Sequence, residues 1–286
     1  MRDEQALRLE HVSKAYGSVQ ALDDVCLTIH QGEVYGLIGE SGCGKTTLAR
    51  CVMQLETWDE GSIWIDGQSC SKKPNRTRRR ELAKKRAIVF QEGAASLDRK
   101  SRVRDVLQEP FRITGRPVDE ARLKALLARC RLDVSLMERS CATLSGGQLQ
   151  RLAIARALAL EPDLLVADEP IASLDVSLQA QIVNVFKDLQ ETEGFALLLI
   201  GHDLDMIRFV ADRVGVMYGG RIVEQARTED LFGDPRHPHT KALIAAALHV
   251  DEARRDDFLF EQPVEKDGAY EEVGLEHVVW KGKKRS

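Results

Sequence analysis

No stretch of this chain approaches the ~20 apolar residues that a membrane-crossing helix needs. The longest such runs, Phe195 to Ile200 and Ala242 to Leu248, are far shorter, so any service to a membrane requires a partner that does the spanning. The N-terminal MRDEQALRLE is charged from its second residue and has no apolar stretch of signal-peptide type, which predicts no export by that route. The six cysteines (Cys26, Cys43, Cys51, Cys70, Cys130, Cys141) form no CxxC pair or His-flanked cluster. Their scatter predicts reduced thiols in a reducing compartment, not a metal or disulfide framework. Excess basic charge is also missing: the net charge is -4 and the pI about 6.0, so nothing global drives the chain onto nucleic acid or an anionic bilayer. Aromatic residues are few, at 5%, beside 43% hydrophobic and 30% charged residues. That balance is one of a folded globular protein, and 286 residues bury a full core as one large domain or two small ones.

What is present is an α/β pattern. Val25, Leu27 and Ile29 alternate with polar neighbours within a strand-like region from Leu7 to Gly39, and a second apolar run from Glu33 enters a glycine-rich loop. Lys45 to Leu55 then reads as a helix. Leu164 to Ala167 and Ala196 to Gly201 read as short buried strands joined to helical stretches, as in a parallel sheet covered on both faces. Between Leu97 and Thr143 the pattern turns helical, with Leu123, Leu126 and Leu127 at helical spacing. After Val250 the chain is strongly polar, and it reads as a mobile tail.

Three motifs carry chemistry. Gly39, Glu40, Ser41, Gly42, Cys43, Gly44, Lys45 and Thr46, followed by Thr47, fit a phosphate loop. There the glycines turn backbone N–H groups inward around phosphate oxygens, and the helix that starts beside them adds its dipole. Lys45 can reach β- and γ-phosphates, and the Thr46 hydroxyl can ligate Mg²⁺. Asp168 and Glu169 lie just beyond an apolar strand; one carboxylate can hold Mg²⁺ and the other can orient a water. Taken alone, the pair also fits an ordinary acidic helix start. Leu144, Ser145, Gly146, Gly147 and Gln148 precede a helix, where a hydroxyl and free N–H groups bind an anion or simply cap the helix.

In this order the motifs resemble the ATP-binding subunit of an ATP-binding-cassette (ABC) transporter, over about Leu7 to Leu248. Gly39 to Thr46 resembles the family's Walker A loop, Gln91 its Q-loop glutamine, and Leu144 to Gln148 its signature. Leu164 to Glu169 resembles the Walker B strand, Ser173 to Asp175 the D-loop, and His202 the switch histidine. The resemblance implies a P-loop NTPase fold with a mainly parallel sheet, an N-terminal antiparallel β-subdomain and a helical signature subdomain. On this reading residues 1–250 are the ATP-binding domain, with the helical part at about 97–145 and a C-terminal extension at about 228–250; residues 251–286 are a polar tail. It also implies that Tyr16 stacks on adenine, that Gln91 meets Mg²⁺, water and the membrane partner, that Glu169 is the general base, and that His202 contacts the γ-phosphate. ATP is then sandwiched between the phosphate loop of one subunit and Ser145 and Gly147 of another, with Asp175 nearby.

A finer resemblance is to ATPases of peptide and nickel importers. It rests on residues 173–182 and on the segment Asp234 to Thr240, where the usual form has Tyr in place of His239. It implies a complex of two ATPases, identical or diverged, with two membrane-spanning permeases and, indirectly, a substrate-binding protein, at the cytoplasmic face of the cell membrane. After Gln91 the family commonly has an acidic residue and proline, whereas here Glu92, Gly93 and Ala94 follow; no cysteine lies beyond Cys141. His237, His239 and His249 do not make a metal site by spacing and read as a solvated loop. The basic run Lys72 to Arg86 reads as a solvated helix face, with no nucleic acid expected. The same core also powers soluble machines acting on ribosomes or DNA; a single phosphate loop and the lack of a long heptad insert set this chain apart from those.

Overall fold

Alternating burial along the first thirty residues marks a pair of long antiparallel strands, β1 (Gln5–Tyr16) and β2 (Val19–His30). Leu7, Leu9 and Val12 face inward with Val25, Leu27 and Ile29, so one face of the pair is buried and the other polar. The computed structural model describes residues 4–90, 93–171, 175–247, 268–274 and 276–282. After β3 (Val34–Gly39) and α1 (Lys45–Val52), β4 (Glu60–Ile65) and β5 (Gln68–Ser69) complete a four-stranded antiparallel sheet in the order β2-β1-β4-β5. The expected helix to Leu55 stops at Val52, because Gln54 turns to a left-handed φ of 53°.

Helix α2 (Arg76–Lys85), capped by the Asn75 side chain, leads into β6 (Arg86–Val89). Arg80 and Glu81 of this helix are exposed, but Arg86 at the end of the basic run is buried, donating to the Val52 carbonyl at 2.7 Å and to Gln54 Oε1 at 2.8 Å. The helical insert comprises α3 (Val103–Thr114), α4 (Glu120–Arg129) and two short 3₁₀ turns, and it packs on α5 (Gly146–Leu158). The chain then alternates β7 (Leu164–Asp168), α6 (Val176–Glu193), β8 (Ala196–Ile200), α7 (Leu204–Val210) and β9 (Arg213–Tyr218). It continues through β10 (Arg221–Arg227), α8 (Thr228–Gly233) and α9 (Pro238–Ala247), and then β11 (Gly268–Gly274) and β12 (His277–Gly282).

The main sheet has the order β11-β12-β10-β9-β3-β8-β7-β6, with the five strands from β9 to β6 parallel. Every residue of β3, β7 and β8 is buried, as a parallel sheet covered on both faces requires. Leu165, Ala167, Leu197 and Leu199 pack into the core shared with α3 to α6. Leu164, Val166, Leu198 and Ile200 point the other way, into a core shared with α1 and the antiparallel sheet. The site is therefore hung on strand ends fixed from both sides.

The mobile, polar tail expected after Val250 is corrected over its described part. β11 and β12 form a hairpin that joins the main sheet through β12 and β10, with Glu224 opposite Val279. Val279, Trp280 and His277 are buried. Trp280 meets Tyr270 edge to face and lies under the Arg221 guanidinium, and the Tyr270 hydroxyl donates to the Ile222 carbonyl. Apolar and cation–π contacts of this size outweigh the polar composition around them.

Candidate functional site

Two of the three phosphate-loop glycines sit where the chain has no room for a side chain; the third, Gly42, has open space but a left-handed φ of 80°. Gly39, at φ 150°, would put a Cβ 2.2 Å from the Met217 carbonyl oxygen, and Gly44, at φ 113°, would put one 2.3 Å from that of Ala21. The loop is thus pressed between the ends of β9 and β2, which shapes it before any ligand arrives. Glu40, Ser41, Gly42 and Thr46 are exposed, Thr47 is half-buried, and Cys43 and Lys45 are buried. The Lys45 ammonium curls back over the loop and donates to the Gly39 and Glu40 carbonyls, both at 2.8 Å, with the Cys43 sulfur 3.7 Å away. Burial pushes the Cys43 thiol up despite the opposing Lys45 charge, so it stays a protonated packing group.

Asp168 closes β7 at 4% exposure. Burial, reinforced by Glu169, holds its carboxyl above the usual range, against the pull of Thr46, Lys45 and Arg50. The Thr46 hydroxyl donates to Asp168 Oδ1 at a long 3.4 Å. An acid held high by desolvation and bridged loosely to a hydroxyl fits a place for a small hard cation, whose charge reverses that desolvation penalty.

Glu169 leaves the strand with a φ of 48°, a strained value for a non-glycine residue, while its N–H donates to the Ile200 carbonyl at 2.9 Å. That bond extends the β7–β8 pairing by one residue and directs the carboxylate to where β8 ends. His202 follows β8 directly after Gly201, and its Nδ1 lies 3.6 Å from Glu169 Oε2. Asp203 caps α7 by accepting the Met206 N–H. Lys45, Thr46, Asp168, Glu169 and His202 therefore all issue from the carboxyl ends of adjacent parallel strands β3, β7 and β8, the position at which open α/β sheets hold ligands.

The remaining predicted residues sit further out. Ser145 caps α5 in a reciprocal box with Gln148: the Gln148 N–H donates to Ser145 Oγ at 3.3 Å and the Ser145 N–H to Gln148 Oε1 at 2.9 Å. Ser145 and Gly146 are exposed, while Gly147 is buried against α6, where a Cβ would meet Leu178 Cδ2 at 2.8 Å. Tyr16 ends β1 at 44% exposure with the Lys14 ammonium 5.1 Å from its ring. Asp175 caps α6 by accepting the Leu178 N–H at 3.0 Å. Gln91, Glu92, Ser173 and Leu174 lie outside the described residues.

One neighbour of the loop is corrected from the sequence reading. His239 is not in a solvated loop but stacks on Tyr218, with centroids 3.9 Å apart, and its Nδ1 lies 4.0 Å from Glu40 Oε1. The C-terminal extension thus backs the phosphate loop. His237 is also shielded, and burial lowers its imidazole to about 4. The buried Glu224 explains this placement: it accepts the Arg236 and His237 N–H groups and pairs with His277 Nε2 at 2.7 Å. The sequence around it, Arg221 to Arg227, mixes apolar and charged residues and gives no cue to this role.

The sequence model of the family described as ABC transporter matches residues 22–172. The chain is 39% identical over 251 residues to the oligopeptide transport ATP-binding protein OppF of Bacillus subtilis, covering 85% of this chain and 82% of that one. It is 41% identical over 251 residues to a putative peptide import ATP-binding protein of Brucella ovis, covering 87% and 79%. Among solved structures it is similar to a dimeric ATP-binding cassette in a post-hydrolysis state bound to ADP and phosphate, with a TM-score of 0.69 and 28% identity over 78% of this chain and 98% of that one. It is also similar to cbiO1 of Clostridium perfringens, with a TM-score of 0.73 and 25% identity over 88% and 97%.

Proposed function

Since the chain belongs to the ABC transporter family, we propose that it is the ATP-binding, ATP-hydrolysing subunit that energises an importer of di- or oligopeptides. The observation that carries the reading is the convergence of Lys45, Thr46, Asp168, Glu169 and His202 at the ends of three adjacent strands. Its oligopeptide and peptide transport relatives support peptides over nickel as cargo, and transport over work on ribosomes or DNA. Among the described residues no helix is long and apolar enough to cross a membrane. As a transporter's ATPase the chain would work beside two permease subunits at the cytoplasmic face, served by a substrate-binding protein, a reading its transport ATP-binding relatives support.

In this reading the phosphate loop, residues Gly39 to Thr47, presents its N–H groups and the α1 dipole to the triphosphate, and Lys45 exchanges two loop carbonyls for phosphate oxygens. Tyr16 supplies the adenine-stacking face. Thr46 and Asp168, with Gln91 by family resemblance, would hold Mg²⁺, which when bound neutralises charge on the phosphate oxygens. Glu169 accepts a proton from the attacking water, its aim fixed by the strained turn after β7. His202, 3.6 Å from that carboxylate, holds the water and terminal phosphate in line. Ser145, Gly146 and Gly147, with Gln148 bracing the cap and Asp175 nearby, close the nucleotide site of a second ATPase subunit.

Glu169→Gln keeps the shape and removes the base. Nucleotide binding is expected to persist, while steady-state hydrolysis falls by about 10²- to 10⁴-fold, the typical worth of general-base action. Turnover at the unmodified rate removes Glu169 from this role.

A further inference from the structure

Far from the phosphate loop in sequence logic, His11, Asp24 and Cys26 bring three ligand types together on the outer face of the β1–β2 pair. Val12 lies opposite Val25 and both are fully buried, so Asp24 and Cys26, which flank Val25, occupy the opposite face, and His11 meets them from the neighbouring strand. His11 Nδ1 is 2.7 Å from Asp24 Oδ1 and 3.7 Å from Cys26 Sγ. The same sulfur accepts the His11 N–H at 3.3 Å. All three ligand atoms lie within 4.8 Å of one another, a grouping that no CxxC or HxxxH spacing announces.

The spacing suits a tetrahedral ion. With Zn–S near 2.3 Å and Zn–N near 2.0–2.1 Å, sulfur and imidazole nitrogen stand about 3.6 Å apart, close to what the strands already impose. The imidazole–carboxylate pair shares a proton at its present distance and must open by about 0.7 Å for a metal to replace that proton. The His11 side chain is 76% exposed, so the opening meets little packing. Placement of the ligands is otherwise fixed: His11 and Asp24 take left-handed φ values of 52° and 57° at the irregular steps of the ladder on either side of the Val12–Val25 pair. The Arg221 guanidinium holds Asp24 Oδ2 at 3.7 Å, which orients the carboxylate and leaves Oδ1 toward His11.

We propose that His11, Asp24 and Cys26 form a three-ligand site for a divalent transition metal of the zinc class, with water completing its shell. Thiolate and imidazole select such an ion over Mg²⁺ or Ca²⁺, which prefer oxygen donors. The site clips β1 to β2, the arm that ends in Tyr16, and is separate from the nucleotide chemistry proposed above.

Co²⁺ added to the full, nucleotide-free chain tests it. One equivalent is expected to give thiolate-to-cobalt charge-transfer absorption with tetrahedral d–d bands, and Zn²⁺ is expected to bleach them. Cys26→Ser is expected to abolish the charge-transfer band, and His11→Ala to weaken Co²⁺ binding by at least about tenfold. Both variants are expected to bind Mg-ATP as the unmodified chain does, which establishes that they fold. A missing thiolate band at stoichiometric Co²⁺, or a band that survives Cys26→Ser, overturns the proposal whatever becomes of the ATPase reading.

Discussion

Gly44 shows how one residue ties sequence to site. It is the N-cap of α1 with φ 113°, and an added methyl would fall 2.3 Å from the Ala21 carbonyl and 2.8 Å from Met217 Cε. Gly44→Ala is therefore expected to lower stability by about 1–3 kcal/mol, as measured by chemical denaturation, and to distort the loop that Lys45 and Thr46 rest on. Unchanged stability would mean that the β2 and β9 ends do not grip the loop. At this scale the sequence was most legible where a motif fixes both residue type and spacing, as for Lys45, Thr46, Asp168 and Glu169. It was least legible where a role depends on backbone shape or a distant neighbour. The left-handed turn at Glu169 carries no compositional mark, and the stacking of His239 on Tyr218 joins residues from β9 and α9 that nothing local connects. The same holds for His11 with Cys26, whose meeting depends on the register of two strands.

Among elements, the buried parallel strands were legible because apolar runs such as Leu164 to Ala167 admit few alternatives once helices cover both faces. The C-terminal hairpin was not: its strands hold polar and charged residues, and its anchors are a buried acid on β10 and the Val279 and Trp280 side chains that reach across to that strand. Glu224 is fully buried and pairs with His277 at 2.7 Å. His277→Ala leaves that carboxylate with two backbone N–H donors and without its imidazole hydrogen bond, and is expected to cost about 1–3 kcal/mol. Hydrogen exchange is expected to show β11 and β12 losing protection before the β3–β8 core; equal protection in both forms would separate the hairpin from this pair. The neighbouring His237 gives the extension a pH response. Its folded pKa, lowered by burial from 6.5 to about 4, means that the folded state binds fewer protons than the unfolded chain between those values. Its contribution is whole above pH 6.5 and is lost as pH falls toward 4. His237→Gln is expected to flatten the stability–pH curve within that window, and an unaltered slope would place the titration elsewhere.

At the scale of the whole molecule, the proposed function makes the phosphate loop and the Ser145 cap complementary halves of one nucleotide site. The loop offers a pre-shaped backbone and a buried lysine, while Ser145 and Gly146 are exposed at the start of α5, already braced by Gln148. An exposed helix cap of this kind can receive an anion through its free N–H groups, and the proposed reading gives it a ligand held by another chain. In the proposed complex that chain is the facing cassette, so nucleotide shifts the pair toward a closed state by adding contacts that exist only there. The most direct measurement is a structure of the assembled transporter carrying Glu169→Gln and trapped with Mg-ATP. Ser145 of this chain is predicted to lie against the triphosphate held by the facing cassette's phosphate loop, and Lys45 against a triphosphate sealed by that cassette's own serine cap. A triphosphate fully enclosed by this chain alone, or a closed pair with Ser145 turned away from the facing loop, would contradict the account.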